Sequence, residues 1–246
     1  MPAPAVTEID PSAPMGPLPF PAEDPPEQRY RFRVCGIQME VRRDMLSPDL
    51  WELLCQGRYE TKELAGLIGV IKPGDTVLEL GAGLGFIASF IARALAPKRV
   101  VSVEADPLVA EFARHTHRLN QVSVDFRQGL VAQKAGIVPF HRQQGFWGNS
   151  TTWLPESTET ILVPTLSFKA LLKEVKPTVL VVDIEGGEES IFEGVDLKGV
   201  RAISLEVHRR LTGLPGIHRL FQTLGKAGFA YEPNWSEGPI VVFGRI

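Results

Sequence analysis

A glycine-rich turn between a short apolar strand and a helix constrains this 246-residue chain more than any other feature. The segment Thr76–Leu80 is apolar and follows Pro73 and Gly74, which predicts a strand, and the breaker-free run after Gly85 predicts a helix. Glycine has no Cβ and tolerates positive φ, so the backbone can turn tightly and a ligand can approach it closely. The start of the helix adds free amides and a positive dipole end. The turn therefore predicts a ligand-binding site at the end of this strand.

The glycines Gly81, Gly83 and Gly85 occupy every second position of the turn, and Glu79 lies two residues before the first. A dinucleotide-binding turn has the different spacing G-x-G-x-x-G. The pattern E-x-G-x-G-x-G instead resembles the motif of class I S-adenosylmethionine-dependent methyltransferases, in which the turn receives the methionine end of the cofactor. In that family a second acid, at the end of the next strand, binds the ribose hydroxyls. Glu104 has this place here, and a carboxylate can accept two hydroxyl hydrogens at once.

Composition limits the alternatives. A hydrophobic content of 44% supplies the core of one α/β domain with an appendage, and a net charge of -3 without a basic run argues against nucleic acid as a partner. Two cysteines make no disulfide framework, which fits a reducing compartment. The start of the sequence does not resemble a secretory signal, and no apolar run is long enough to cross a bilayer. We therefore expect a cytoplasmic protein with no membrane partner and leave open whether it is a homodimer.

Three regions follow from the distribution of residue types. Residues 1–28 hold nine of the 20 prolines, which predicts a flexible arm. Residues 29–71 show strand alternation and then two helical patterns, which predicts a hairpin and a helical cap. Residues 72–246 alternate between strand and helix patterns. This alternation predicts an α/β fold with right-handed parallel crossovers and helices on both faces of the sheet.

Acidic side chains and a histidine follow two later strands. Asp183 and Glu185 end one apolar strand, and Glu206 and His208 end the next. The carboxyl ends of strands form the site in open α/β sheets, so these side chains are expected to meet there. His208, with an ordinary pKa of about 6.5, is the candidate base for deprotonating an acceptor hydroxyl, and Asp183 or Glu185 would orient the acceptor. The group could also hold a divalent cation, but without a compact ligand motif this alternative is not favoured.

A loop over residues 142–153 is rich in amide, hydroxyl and aromatic side chains. Two short strands, 136–140 and 160–163, are predicted to flank it. Long loops within compact domains are more often functional than idle. We expect either a lid over the bound molecule or an ordinary surface excursion.

Three segments narrow the resemblance. They are residues 163–167, 183–188 and 206–208. In chain order they are similar to the V-x-T-L-D, D-x-E-G-x-E and E-x-H segments of the FkbM family of methyltransferases. Ser167 stands where the first segment usually has an acid. The similarity covers about residues 55–243. It implies a Rossmann-like methyltransferase fold with a mostly parallel seven-stranded sheet and an antiparallel C-terminal hairpin. It also implies S-adenosylmethionine as cofactor and a small-molecule acceptor, a secondary metabolite or a sugar, methylated mostly on oxygen.

The predicted site combines these signals. The catalytic candidates are His208, Asp183 and Glu185. Residues near Gln128 are included because the adenine ring is often held after the third strand, and Tyr59 because the cap could reach the site. The predicted cofactor-binding residues are Tyr59, Glu79, Gly81, Gly83, Gly85, Glu104, Ala105, Gln128, Gly129 and Asp183.

Two other functions remain open from the sequence. An NAD(P)-dependent oxidoreductase has a similar turn, but a short-chain enzyme of that kind would need the motif Tyr-x-x-x-Lys. The residues four positions after Tyr30, Tyr59 and Tyr231 are not lysine. A protein that binds the cofactor without catalysis is the second alternative, and the intact acidic strand ends weigh against it.

Overall fold

A computed structural model describes residues 6–9, 18–143, 145–146 and 148–246. The described strands are β1 Val6–Glu8, β2 Arg29–Val34, β3 Ile37–Arg42, β4 Thr76–Leu80, β5 Arg99–Glu104, β6 Asp125–Gln128, β7 Leu130–Ala132, β8 Gly136–Gln143, β9 Ser157–Ser167, β10 Val179–Val182, β11 Ala202–Glu206, β12 Phe229–Tyr231 and β13 Ile240–Arg245. The described α-helices are α1 Pro48–Cys55, α2 Thr61–Val70, α3 Phe86–Ala94, α4 Pro107–Leu119, α5 Phe168–Val175, α6 Glu188–Ile191 and α7 Arg209–Lys226.

The central sheet has seven strands in the order β12-β13-β11-β10-β4-β5-β6. β13 is antiparallel to both of its neighbours, and the pairs β11-β10, β10-β4, β4-β5 and β5-β6 are parallel. This confirms the predicted α/β fold with its antiparallel C-terminal hairpin. The strand order reverses between β4 and β10, and in open α/β sheets ligands bind at such a switch point, outside the carboxyl ends of the strands.

Two apolar layers cover the faces of the central sheet. Successive side chains of a strand point to opposite faces, so Val77 of β4 packs with α3, α4 and the N-terminal cap, whereas Leu78 and Leu80 pack with α5, α6 and α7. All three side chains are fully buried. Burial on both faces explains why β4 and β10 are almost continuously apolar.

The N-terminal cap contains the predicted hairpin β2-β3 and the two predicted helices. Ser47 caps α1 by accepting a hydrogen bond from the Leu50 amide at 3.2 Å. The flexible arm predicted for residues 1–28 lies partly outside the described residues. Where the arm is described, β1 pairs in parallel with β2, and Phe20 packs edge-on against Trp51. An apolar surface on the cap holds these pieces, which proline content alone does not reveal.

A second small sheet, in the order β7-β9-β8, lies beside the central one. The sequence predicts two short strands here, but β8 and β9 are longer and β7 was not predicted. Leu166 is the penultimate residue of β9, and the next helix begins after Ser167, whose hydroxyl accepts a hydrogen bond from the Ala170 amide at 3.4 Å. An aspartate can cap a helix in the same way, which explains why serine can replace the usual acid at this position.

The helix α7 contains a kink rather than one continuous cylinder. Gly213 has φ of 63°, outside the helical region, and Pro215 follows it. Within the described parts of the chain, no helix has the length and apolar character needed to cross a bilayer.

Candidate functional site

A cavity of about 750 Å³ opens at the carboxyl ends of β4, β5, β10 and β11. We call one part the glycine end, defined by Gly81, Gly83, Glu104 and Gly129. The other part, the acid end, is defined by Glu60, Asp183, Glu185, Glu206 and His208. Both sets line the same cavity. Its volume is in the range typical of small-molecule and cofactor sites.

The glycine end is built from backbone that leaves little or no room for a side chain at Gly81 and Gly83. Gly81 has φ of 87°, and a Cβ placed on it would lie 1.7 Å from the carbonyl oxygen of Asp183. Gly83 has φ of 50°, and a Cβ there would lie 3.0 Å from the Tyr59 hydroxyl. The first glycine therefore lets β4 and β10 approach each other, and the second keeps the wall of the cavity thin.

Glu104 is the buried carboxylate of the glycine end. It is 8% exposed and accepts hydrogen bonds from the amides of Gly83 at 3.0 Å and Asp106 at 2.9 Å. Burial raises its pKa to about 7, against the hydrogen bonds from these amides. The contact ties the end of β5 to the turn after β4. The predicted second acid is thus at the predicted place, in the cavity wall.

Glu79, the first acid of the motif, has a different position. It points to the same side of β4 as Val77, towards α3, and it hydrogen bonds to the Ser102 hydroxyl and the Ala88 amide. It is 1% exposed, and burial raises its pKa to about 8. Glu79 does not line the large cavity and supports the turn from behind.

Three further predicted cofactor residues also lie behind the cavity wall. Tyr59 is fully buried and packs edge-on against Phe86 with ring centroids 5.9 Å apart. Gly85 allows α3 to approach α4, since a Cβ there would lie 2.9 Å from the backbone of Ala113. Gln128 donates a hydrogen bond to the Ala105 carbonyl at 3.0 Å. The other predicted cofactor residues do line the cavity; they are Gly81, Gly83, Glu104, Ala105, Gly129 and Asp183.

The acid end surrounds His208 with carboxylates. The Nε2 atom lies 3.3 Å from Glu185 Oε1, 3.5 Å from Asp183 Oδ1 and 3.9 Å from Glu206 Oε1. The Nδ1 atom contacts Glu188 Oε1, whose side chain is 1% exposed. The structure thus brings the three catalytic candidates together. His208 stands at the start of α7 rather than on β11, because the strand ends at Glu206.

The predicted charge state of His208 is wrong. The prediction assumed an ordinary pKa near neutrality. Burial lowers the pKa, but hydrogen bonds to Glu185 and Glu188 and the nearby carboxylates outweigh it and raise the pKa to about 11. In the state described, the imidazole is protonated at neutral pH and has no lone pair with which to accept a proton. The raised pKa therefore disfavours His208 as the base in this arrangement.

The acids of this end are crowded and partly buried. Burial raises the pKa of Asp183 well above its ordinary value, and Glu206 and Glu185 add to the increase against the charge of His208. The pKa of Glu60 is also raised well above its ordinary value by burial. Two residues of this end have left-handed backbone, with φ of 39° at Glu185 and 50° at Glu60. Such strain is characteristic of functional sites.

The loop after β8 closes the side of the cavity. Phe146, Asn149, Ser150 and Thr151 line it, and an Asp106 clamp holds the loop. In this clamp Asp106, 2% exposed, accepts from Arg142 at 2.6 and 2.7 Å and from Asn149 at 3.1 Å. Gln144 and Trp147 of the predicted lid lie outside the described residues. Residues of the predicted loop thus form part of the wall, and whether they move remains a prediction.

Sequence reasoning missed two features. The Asp106 clamp joins the start of α4 to the loop, and no local pattern indicates that Arg142 is its partner. Glu188 was noted only as the last residue of the D-x-E-G-x-E segment. Its role as the buried partner of His208 could have been inferred from that motif only with the three-dimensional arrangement in hand.

The residues at the glycine end fit S-adenosylmethionine. A carboxylate in the cavity wall suits a ribose diol, the turn leaves room for a flexible chain, and Leu130 and Val131 beside Gly129 give an apolar surface for a ring. The enclosed Asp183 Oδ1 atom, for which the described residues supply no hydrogen-bond donor, lies where the two ends meet.

Comparisons with known proteins agree with this geometry. Residues 79–231 match the family described as the methyltransferase FkbM domain. A stretch of 74 residues is 38% identical to the ribosomal protein L11 methyltransferase of Thermosipho africanus (strain TCF52B). That stretch is 29% of this chain and 28% of the relative, so the chain spans about a quarter of the length of the curated relative it matches.

Solved structures with similar folds have low sequence identity. The chain is similar to M. jannaschii TYW2 in complex with AdoMet, at 15% identity with a TM-score of 0.48, over 91% of this chain and 89% of that one. It is also similar to precorrin-6y C5,15-methyltransferase from Geobacter metallireducens GS-15, at 13% identity with a TM-score of 0.47, over 79% and 91%. Likeness at this level carries no information about the acceptor.

Proposed function

Because the chain belongs to the FkbM methyltransferase family, we propose that it transfers a methyl group from S-adenosylmethionine to a hydroxyl oxygen of a small molecule. We propose a secondary metabolite or a sugar as the acceptor, in keeping with the resemblance described above. The observation that supports the reaction best is a single one. The glycine turn and the cluster around His208 line one continuous cavity, so a cofactor at one end and an acceptor at the other can meet.

The glycine end holds the cofactor in this proposal. Glu104 accepts hydrogen bonds from the ribose hydroxyls, the turn at Gly81 and Gly83 receives the methionine part, and Gly129 with Leu130 contacts the adenine. When bound, the cofactor supplies a methyl group on a sulfonium, which is electrophilic. Glu104 is already fixed by two backbone amides, so little ordering is needed when the ligand binds.

The acid end holds the acceptor. The Asp183 carboxylate lies where the two ends meet, since its own carbonyl oxygen faces Gly81. An acceptor hydroxyl that donates a hydrogen bond to Asp183 or Glu185 is oriented towards the cofactor and passes its proton into the carboxylate cluster. The positive charge of His208 keeps these carboxylates close to each other. The residues of the loop, Phe146 among them, exclude water from this region.

The test is a transfer assay with labelled cofactor. The purified chain is incubated with S-adenosylmethionine carrying an isotopic methyl group and with panels of hydroxyl, amine and thiol compounds, and products are identified by mass spectrometry. We expect label on oxygen, and we expect Asp183→Asn to lower turnover by about 10²-fold or more while Glu156→Gln, at an exposed site, leaves it unchanged. Label on nitrogen or sulfur alone would contradict the proposed acceptor. Cofactor binding without any transfer would favour a non-catalytic binding protein.

A further inference from the structure

The acid end contains more carboxyl groups than basic side chains among the described residues. Carboxylates of Glu60, Glu63, Asp183, Glu185 and Glu206 line it, and His208 is the cation at its centre. The two other basic residues of the lining lie at the rim, where Lys62 is half exposed and pairs with Glu237 at 3.3 Å. Close carboxylates repel one another, and the repulsion is strong where water is scarce. A cation bound among them would remove it.

Three ligand atoms in this cluster have the spacing of a coordination site. One oxygen each of Asp183 and Glu206 and one ring nitrogen of His208 lie within 4.8 Å of one another. The His208 Nε2 atom is 3.5 Å from Asp183 Oδ1 and 3.9 Å from Glu206 Oε1. Ligands bonded at about 2.1 Å to one ion are about 3.0–3.4 Å apart in octahedral and tetrahedral geometry. The separations between the three atoms, at most 4.8 Å, would have to shorten by up to about 1.8 Å around an ion.

Two independent observations indicate that this cluster is prepared for a ligand. The Asp183 Oδ1 atom is enclosed, and no donor among the described residues hydrogen bonds to it. The Nδ1 side of His208 is occupied by Glu188, a side chain 1% exposed whose second oxygen, Oε2, likewise has no hydrogen-bond partner within the described part of the chain. In histidines that bind metals, the other ring N–H almost always donates a hydrogen bond to a carboxylate or carbonyl in this manner, which fixes the ring orientation.

We propose that Asp183, Glu206 and His208 bind a divalent cation at the acid end. Two carboxylates and one imidazole suit Mn²⁺, Mg²⁺ or Zn²⁺ better than soft metals. The ion would bind the Nε2 atom of the neutral imidazole, because a ligand nitrogen must be deprotonated. Glu185, whose Oε1 atom is 3.3 Å from Nε2, is close enough to serve as a fourth ligand or to hold a bound water.

The use of this ion rests on the proposed methyl transfer, whereas its binding does not. A hydroxyl bound to a divalent ion loses its proton more easily, and the oxygen that remains is the nucleophile that attacks the methyl group. The proton passes to a carboxylate of the acid end or to solvent. Glu188 is a positioning residue in this arrangement, because it acts on the ion only through His208.

The experiment is calorimetric titration of the full chain, freed of metal by chelation, with MnCl₂ alone. We expect one site per chain, and at least about tenfold weaker binding in Glu206→Gln and His208→Asn. The matched control is Glu60→Gln, which removes one carboxyl group from the same cavity without removing a ligand. It should change the affinity by less than about threefold.

Equal weakening of Mn²⁺ binding in Glu60→Gln and Glu206→Gln, or the absence of a stoichiometric Mn²⁺ site, would overturn the proposal. The first result would mean that the acidic cavity attracts cations without specific ligands. If a variant does not fold, pulsed electron paramagnetic resonance of Mn²⁺ on the unaltered chain replaces it. Coupling to a histidine nitrogen is expected, and its absence would remove His208 as a ligand. Failure of the ion to bind leaves S-adenosylhomocysteine binding intact, whereas failure of the proposed function leaves Mn²⁺ binding intact, so the two failures are distinguishable.

Discussion

At the glycine end of the cavity the critical wall is backbone, with Gly81 against the Asp183 carbonyl and Glu104 held by two amides. At the acid end the wall consists of ionisable side chains from three segments, which surround His208. Backbone geometry is encoded by residue type and spacing within a few positions. The protonation of a side-chain cluster depends on every member of the cluster and cannot be assigned from one strand end alone.

Two histidines illustrate how the neighbours of a side chain decide its protonation. His117 lies behind the glycine end on α4, and burial, together with Arg114 and Arg118, lowers its pKa to about 4. His208 is also largely buried, yet its carboxylate neighbours raise its pKa to about 11. Burial favours the neutral imidazole in both cases, and only His208 has acids close enough to reverse the effect.

The largest effect is expected where the two ends touch. Gly81→Ala places a methyl group 1.7 Å from the Asp183 carbonyl oxygen and should destabilise the fold by at least about 4 kcal/mol, or prevent folding. Gly74→Ala is the matched control, because φ is 85° there against 87° at Gly81 and no atom lies within 4 Å. It should cost only about 1–2 kcal/mol of backbone strain. Similar losses in urea unfolding of both variants would show that the contact between β4 and β10 is not what requires glycine.

The next effect is the pH dependence of stability that His117 is expected to cause. The pKa of His117 is about 4 in the folded chain and about 6.5 when unfolded, so the unfolded state binds the proton first as pH falls. Stability should decrease by about 3 kcal/mol between pH 6.5 and pH 4 on this account. His117→Met should remove that part of the pH dependence, and His218→Gln, at an exposed position, should not. Unfolding midpoints measured across this range would contradict the account if the Met variant retained the full slope.

A third effect concerns the Asp106 clamp, which attaches the loop to the glycine end. Arg142→Gln leaves the buried Asp106 carboxylate with fewer partners and should cost about 2–3 kcal/mol. Arg210→Gln breaks an ion pair with Glu156 in which both side chains are half exposed or more, and it should cost less than about 1 kcal/mol. Hydrogen exchange should also increase at residues 148–151 in Arg142→Gln alone. Equal stabilities of the two variants would mean that the clamp does not fasten the loop.

The smallest effect distinguishes the two acids of the glycine region by affinity. Glu104→Gln should weaken S-adenosylhomocysteine binding by about 1–3 kcal/mol, because charge-assisted hydrogen bonds to the ribose are lost. Glu79→Gln should leave the affinity within about twofold, since Glu79 is behind the turn and bonds to Ser102 and Ala88. The reverse result in calorimetry would show that the first acid of the motif, and not the second, contacts the ligand.

Much of the fold was predictable, for local reasons. The strands Thr76–Leu80 and Arg99–Glu104 occur as predicted because short apolar runs bounded by Gly, Pro or charged residues are strong signals. The start of the helix Pro107–Leu119 also has a local signal, because Asp106 and Pro107 form a cap and a first turn. The strand β7 was missed because its three residues become a strand only by pairing with β9, more than 30 residues later.

The residues of the site were more predictable than their protonation states. Spacing was enough to place Glu104 and Asp183 in one cavity, because parallel strands end at the same edge. The position of Glu79 behind the turn follows from the alternation of side chains along β4, which a reading of the motif alone does not take into account. The charge of His208 could not be predicted, because it depends on Glu185 and Glu188 as well as on its own strand.

The measurement that tests the account most directly is calorimetric titration of the unaltered chain with S-adenosylhomocysteine and, separately, with NAD. The account predicts one S-adenosylhomocysteine site per chain, with binding to NAD at least about 100-fold weaker, since the glycine turn lacks the dinucleotide spacing. Preferential binding of NAD, or no binding of S-adenosylhomocysteine to a folded chain, would contradict the assignment of the cavity as a methyl-transfer site.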